Sequence, residues 1–364
     1  MSNITIFGVG KLGLCFALNL ERKGFNVLGV DISEKYVESL NVKTLESTEE
    51  SVSKLLFNSS NFRATTDTLE GLNHSDILFA LVATPSFPNG KYDLSQLKEL
   101  IDKLKSFGSQ QTTKELVIGC TVIPGYCDEL QKELEDYNYN ISYNPEFIAQ
   151  GTIIQDQLCP HMILIGSRNE ESANKLRQVY ERLVENSPTY FIMSPLSSEI
   201  CKIALNCFIT TKIAFANMIG DLASKVGAEP QKILNAIGAD ERVGSKCIKY
   251  GYGYGGPGFF RDNKALGIYA KENDCAINIS DATDECNAAH LQAMIDACDE
   301  KKITLTCVTY KPQSIMIEES QQLAFAVGVA KKGVEVTIVE RPEVIQQVKE
   351  IYGDLFTYML SKKR

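Results

Sequence analysis

Two glycine-rich stretches are where this chain is best equipped to do chemistry. The first is Gly8-Val9-Gly10-Lys11-Leu12-Gly13, preceded by the apolar run Ile4 to Val9 and followed by the apolar run Leu14 to Leu20. This is GxGxxG between a strand and a helix. Gly8 allows the tight turn, Gly10 lets a pyrophosphate approach the backbone, and Gly13 lets helix and strand pack closely. The helix N-terminus then faces the phosphates with its partial positive charge. A second strand, Asn26 to Val30, ends in Asp31, 18 residues beyond Gly13, where a ribose hydroxyl needs an acceptor. The competing use of Asp31 is as a helix N-cap, for which Ser33 stands close by. Strand, glycines, helix, strand and acid in that order predict dinucleotide binding.

The second stretch is Gly251 to Leu266, GYGYGGPGFFRDNKAL, with Gly at 251, 253, 255, 256 and 258 and the charged residues Arg261, Asp262 and Lys264 directly behind. A bare glycine-rich run reads as a surface turn between helices. Its length, and the interleaved Tyr252, Tyr254, Phe259 and Phe260, favour a ligand site approached closely by backbone.

The elements that must position these residues follow from hydrophobic patterning. Asp76 to Ala83 leads into Thr84-Pro85-Ser86, and Glu115 to Cys120 leads into Thr121-Val122-Ile123-Pro124-Gly125. Near-continuous apolar strands suit a buried parallel sheet, in which ligands bind beyond the strand C-termini. That puts Thr84, Thr121 and Pro124 around the cofactor, with helix N-capping as the other use of both threonines. Met162 to Gly166 is expected to be the last strand of the first domain. Ser197 to Lys225 reads as one long helix with Ser197 and Ser198 as N-caps and Glu199 in its first turn. Lys202 and Asn206, four apart, share one face of it. A second helix covers about Pro230 to Ile237. The final third reads as an α/β unit: a helix over about 280–301, a strand from Ile303 to Val308, a helix from Ser320 to Lys332 and a strand from Val334 to Val339. The expected domains are 1–194, 195–300 and 301–364.

Composition narrows the function classes. The chain has 364 residues, 44% hydrophobic and 23% charged, as in an ordinary globular protein of two or three domains. The formal net charge of −9 argues against binding a phosphate backbone of nucleic acid. No apolar run is expected to reach a membrane span, and the N-terminus does not read as a signal peptide. The eleven cysteines form no CxxC pair and the three histidines stand alone, so no metal site is expected. Reduced cysteines make the cytoplasm the natural compartment.

Gly253 to Asp262 resembles, without a gap, the active-site loop of the nucleotide-sugar dehydrogenases, the UDP-glucose and GDP-mannose dehydrogenase family, which reads roughly Gly-Tyr-Gly-Gly-Ser-Cys-Phe-Pro-Lys-Asp. The family's nucleophilic cysteine falls on Gly258. Thr84-Pro85 resembles its Thr-Pro, and Cys120-Thr121-Val122 its Ser-Thr-Val, with Thr121 on the active-site threonine. Tyr143-Asn-Pro-Glu146-Phe147-Ile-Ala-Gln150-Gly151 resembles Asn-Pro-Glu-Phe-Leu-x-Glu-Gly. There Glu146 falls on the glutamate that helps position water, and Gln150 replaces the second glutamate. Ser198 to Asn206 resembles Ser-Glu-x-x-Lys-x-x-x-Asn. Asp240-Glu-Arg242-Val-Gly244 resembles Asp-x-Arg-x-Gly, whose arginine reaches substrate across a dimer interface. Tyr310-Lys311-Pro312 resembles Phe-Lys-Pro, while Glu318 stands where the family has an arginine that meets phosphate.

The resemblance implies an α/β fold in three parts: an N-terminal Rossmann domain, a central long-helix dimerisation region and a reduced C-terminal Rossmann-like α/β domain. It implies NAD as cofactor, contacted by Gly8, Gly10, Lys11, Leu12, Gly13, Asp31, Thr84, Pro85 and Thr121. It implies a nucleotide sugar, a UDP-sugar foremost, held by Phe147, Ile148, Lys202, Asn206, Arg242, Tyr250, Tyr254, Gly255 and Lys311. The catalytic positions are Thr121, Glu146, Lys202, Asn206, Asp262 and Gly258, in a homodimer. Lys202 would stabilise a developing oxyanion and Asn206 would hold water or a hydroxyl. The family oxidises C6 of the sugar from alcohol to acid by two hydride transfers, the second through a thiohemiacetal on cysteine. With glycine at 258, the expectation is a two-electron oxidation or altered chemistry. The alternatives are a non-catalytic NAD- or nucleotide-sugar-binding protein and a β-hydroxyacid dehydrogenase. The run from Gly253 to Asp262 argues against the last.

Overall fold

The computed structural model describes residues 2–361 apart from 50, 88, 149, 277 and 313, so Ala149 of the Asn-Pro-Glu-Phe segment lies outside the described residues. The chain divides into two units, Met1–Lys202 and Ile203–Arg364.

The first unit is built on eight strands: β1 Asn3–Phe7, β2 Asn26–Val30, β3 Phe62–Thr65, β4 Ile77–Ala80, β5 Lys114–Ile118, β6 Tyr139–Tyr143, β7 Met162–Ser167 and β8 Thr189–Met193. Their order is β3-β2-β1-β4-β5-β6-β7-β8, parallel throughout except where β7 meets β6. The first six positions have the doubly wound order, which reverses between β1 and β4 and opens a ligand crevice beyond their C-terminal ends. Alternate side chains feed two apolar layers. Ile6, Phe79 and Val117 pack into one, and Phe7, Leu78 and Ile118 into the other. Even Lys114 and Glu115 of β5 are buried. The Lys114 ammonium is satisfied by Leu72 O at 2.9 Å, Ser75 O at 3.0 Å and Asp76 Oδ1 at 2.9 Å.

The sheet does not end at Met162–Ser167 as expected, because β8 pairs parallel with β7. It is an edge strand, and Phe191 and Ile192 are 45% and 46% exposed. It therefore lacks the buried run that announces the inner strands.

The long helix runs Pro195–Lys225 and carries the chain from the first unit into the second. Proline suits the first helical position. Ser194 Oγ accepts from Ser197 N at 3.2 Å, so Ser194 is the cap and the expected caps Ser197 and Ser198 lie inside the first turn. This helix also corrects the expectation about membrane-span length. It has 31 residues and a mean hydropathy of 1.4 over its best window, enough to cross a membrane by length and composition. The expectation counted uninterrupted apolar residues, and Lys202, Asn206 and Lys212 interrupt the run.

The second unit holds the helices Pro230–Ala239, Pro257–Glu272 and Asn278–Asp296, then an α/β layer. Its strands are β9 Lys302–Leu305, β10 Glu335–Glu340 and β11 Thr357–Leu360, parallel in the order β11-β10-β9. The helices Gln321–Lys331 and Pro342–Tyr352 connect them. Ile338, Val336, Ala326, Val344 and Val348 form its core.

Candidate active site

The turn Gly8–Gly13 joins β1 to the Lys11–Arg22 helix. A Cβ on Gly13 would lie 2.0 Å from the Gly8 carbonyl oxygen, so only glycine lets the helix close onto the strand. A Cβ on Gly10 would meet nothing within 4 Å. Gly10 is also the N-cap and makes no side-chain hydrogen bond. No side chain caps the first amides of this helix, which leaves that end available to an anionic group. Leu12 packs on the core, and Lys11 Nζ stands 3.9 Å from the buried Glu49 carboxylate. Asp31 is not the cap of the next helix. Ser33 Oγ takes that role, accepting from Tyr36 N at 3.3 Å, while Asp31 Oδ1 accepts from Ser33 N at 3.2 Å. This leaves a half-buried carboxylate at the end of β2. Tyr36 went unnoticed in the sequence. Its hydroxyl donates to Val9 O at 2.9 Å, and burial, then the Asp31 charge, pushes it up to about 12, so it stays a donor.

At the ends of β4 and β5, Thr84 Oγ1 donates to Thr121 O at 2.8 Å. Neither threonine caps a helix, since the helices that follow have Leu94 and Gly125 at their caps. The hydroxyl instead ties the two loops together. Pro85 is exposed, and its carbonyl accepts from Asp93 N at 2.7 Å. Glu199, fully buried, occupies the start of the Tyr126–Glu133 helix: Gly125 N donates to it at 2.6 Å and Cys127 N at 2.8 Å. One turn further along its helix, Lys202 Nζ donates to Glu146 O at 2.6 Å and stands 4.6 Å from the centroid of the Phe147 ring. Ile148 packs on the core. Glu146 lines a small cavity of mixed character with Asn144, Asp156, Gln157, Met162, Leu164 and Tyr180. Burial pushes its carboxyl up to about 7, against the lowering influence of Lys202. Glu49, which sequence reasoning passed over, accepts from Gly151 N at 2.7 Å and so holds the end of the Asn-Pro-Glu-Phe segment.

In the second unit the Gly-rich stretch is only partly a loop. The helix Pro257–Glu272 starts inside it, with Gly256 at the cap and proline at the first position. Gly258 and Asp262, expected in a loop, are helical. Asp262 is fully buried and its carboxylate is shared: Asn206 Nδ2 donates at 2.6 Å and Arg261 Nε at 3.1 Å. Asn206 and Asp262, expected separately at the site, are thus brought together. A Cβ on Gly253 would lie 2.1 Å from Asn287 Oδ1, whereas one on Gly258 would meet nothing within 4 Å. The Asn287 side chain pairs with both sides of the Tyr254 peptide, at 3.0 and 3.1 Å. Tyr254 is buried with its hydroxyl donating to Asp284, and the hydroxyl of Tyr250 donates to Asp221 at 2.9 Å. Gly255 lies beside Gly256, whose N–H donates to Glu319 O at 3.3 Å.

Arg242 is exposed and paired with Asp240 at 2.6 Å. Lys311 Nζ lies 5.7 Å from the centroid of the Tyr310 ring, and Glu318 is exposed. No thiol takes the place left at 258 among these residues. Cys207 senses the carboxylates of Asp262 and Asp284, but burial first and those charges second push it up to about 12. Cys247 is exposed, with a left-handed φ of 60°.

A doubly wound sheet whose first strand leads through Gly8–Gly13 into a helix is the fold of a dinucleotide-binding oxidoreductase domain. Residues 2–184 match the family model of the UDP-glucose/GDP-mannose dehydrogenase family, NAD binding domain, and residues 196–289 match the central domain of the same family. The chain belongs to that family. It is 30% identical over 344 residues to a UDP-glucose 6-dehydrogenase of Rickettsia bellii, covering 91% of this chain and 79% of that one. It is 27% identical over 378 residues to a GDP-mannose 6-dehydrogenase of Pseudomonas putida, covering 99% and 84%. A UDP-glucose dehydrogenase structure from Pyrobaculum islandicum shares the fold, with a TM-score of 0.88, 24% identity and coverage of 99% and 86%. NAD is the cofactor of the N-terminal domain, and the open Gly10 and the acceptor Asp31 fit it.

Proposed function

We propose that this chain oxidises a CH–OH group of a nucleotide-linked sugar, a UDP-sugar foremost, and stops after one two-electron step. NAD, when bound, accepts the hydride. In this reading the Lys202 ammonium stabilises the developing alkoxide, and Glu146, with a pKa near 7, accepts the proton through water. Thr121 orients the reacting hydroxyl, and Asn206, held by Asp262, fixes a water or hydroxyl. Phe147, Ile148, Arg242, Tyr250, Tyr254, Gly255 and Lys311 serve substrate binding, and Lys11, Leu12, Thr84 and Pro85 the cofactor. The observation that carries the reading is the empty place at Gly258, where a side chain would fit but none exists, with Cys207 held as a thiol. A second oxidation requires an adduct on the aldehyde. The test counts NADH formed per sugar consumed, with UDP-glucose, UDP-sugar amides, GDP-mannose and simple hydroxyacids offered in turn. One NADH and an aldehyde are expected from a nucleotide sugar, and two NADH with a carboxylate product overturn the reading.

A second reading, a non-catalytic binder of NAD and nucleotide sugar, draws support from Gln150, which cannot act as a base, and from Glu318, which repels phosphate. Tight NAD binding with no NADH from any of these sugars favours it.

The three-part division at 194 and 300 and a homodimer belong to the same proposal. Phe208, Phe215, Met218 and Leu222 recur at helical spacing and are 62%, 42%, 45% and 59% exposed. An apolar stripe of this kind suits a second copy of the chain better than water or a bilayer. Eleven free cysteines suit the reducing cytoplasm.

A further inference from the structure

The Gly-rich turn is fastened at its first residue by a histidine that the catalytic reading leaves unused. His290, expected from the sequence to stand alone, lies on the Asn278–Asp296 helix and is 3% exposed. Its Nε2 is 2.6 Å from Gly251 O and its Nδ1 is 2.8 Å from Asp221 Oδ2. A backbone carbonyl only accepts, and so does an ionised carboxylate. Nε2 therefore carries the N–H that Gly251 O accepts, and Nδ1 faces the Asp221 carboxylate. Asp221 also accepts from the Tyr250 hydroxyl at 2.9 Å, and the Tyr250 ring stands edge-on to the imidazole at 5.8 Å between centroids. One turn earlier on the helix that carries Asp221, Asn217 Oδ1 accepts from Gly251 N at 3.0 Å. The residue Gly251 is thus gripped at its N–H and at its C=O by side chains from two helices. The groups facing the ring are Asp221 from the long helix and Tyr250 from the chain that enters the turn.

We propose that His290 is a positioning residue: oriented by Asp221, it fixes the Gly251 carbonyl and thereby the turn 251–256 that leads into the Pro257 helix. It touches no reacting atom. The bond to Asp221 is to a carboxylate, the kind whose loss is felt most, and the bond to Gly251 O is partly buried.

The two amide side chains separate its two contacts. His290→Asn places an amide where Nδ1 sits and reaches Asp221 alone. His290→Gln places one where Nε2 sits and reaches Gly251 O. Amide hydrogen exchange on the full chain, read by mass spectrometry, is the measurement. In His290→Asn the amides of 252–256 are expected to exchange at least about tenfold faster, with β9 and β10 unchanged. In His290→Gln they stay within about threefold of the parent. NAD affinity is unchanged in both. Equal behaviour of the two variants, or faster exchange spread through the whole second unit, overturns the proposal and leaves His290 as core packing. A rise in KM for a nucleotide sugar that exceeds any fall in kcat in His290→Asn is the functional counterpart. That arm rests on the substrate reading above, whereas the exchange arm does not, so the two fail separately.

Discussion

Both glycine-rich turns open a helix, both have glycine at the N-cap, and neither has a side-chain cap. They differ in what their glycines are for. In the first turn Gly13 is dictated by a backbone oxygen 2.0 Å from where its Cβ would be, and Gly10 faces open space. In the second, a Cβ on Gly253 would meet the Asn287 side chain rather than backbone, and Gly258 faces open space. The glycines that would collide belong to the fold. Gly10 and Gly258 have room beside them, which the proposed function assigns to a phosphate group of the cofactor at the first and to the position of the family's cysteine at the second.

The largest effect that could break this comparison is at Gly13. Gly13→Ala forces a methyl group onto a backbone oxygen that cannot turn aside, so a loss of about 3 kcal/mol or more is expected from urea unfolding. A variant of parent stability would show that the dinucleotide turn is not closed as described. Gly253→Ala meets a side-chain oxygen, which can give way, and about 1–2 kcal/mol is expected. Asp31→Ala should leave stability nearly unchanged but weaken NAD binding about tenfold and erase the preference over NADP, measured by cofactor titration. NADPH binding to the parent as tightly as NADH would contradict the assignment of Asp31.

Glu146 gives a pH-dependent test. Its carboxyl lies near 7 in the fold, above its ordinary value of 4.5, because burial disfavours the charge. The unfolded chain therefore releases this proton first. Its contribution weakens stability as pH rises from about 4.5 to about 7 and is constant above. As a base it should raise kcat/KM over the upper part of that window, and Glu146→Gln should flatten both profiles. A profile unchanged by that substitution would separate Glu146 from the chemistry. The smallest effect is at Gly258. Gly258→Ala sits in a helix with room for a methyl group, so stability should hold or rise by up to about 1 kcal/mol.

Much of this was legible in the sequence where local chemistry is self-contained. Strand, GxGxxG, helix, strand and Asp31 lie in one stretch, and each signal reinforces the next. The fastening of the second turn was not legible, because Asn217, Asp221, Asn287 and His290 come from two helices far apart in the chain, and no local pattern marks a polar residue that faces a backbone amide. The edge strand β8 was missed because burial on one side leaves only a short, half-exposed run. The boundary between loop and helix at Pro257 was missed because glycine at 258 reads as loop, although proline at the first helical position points the other way. Tyr36 and Glu49 act on backbone atoms, and single residues of that kind carry no spacing signal.

Product stoichiometry tests the central claim most directly. The parent chain and Gly258→Cys are each supplied with NAD and the nucleotide sugar that turns over, NADH is counted per sugar consumed, and the product is identified by mass spectrometry. One NADH and an aldehyde are expected from the parent. In the variant the open space and the helix N-terminus favour a thiolate that can form the missing adduct, so the count should move towards two with carboxylate as product. Two NADH and a carboxylate from the parent itself would contradict the claim that Gly258 limits the reaction.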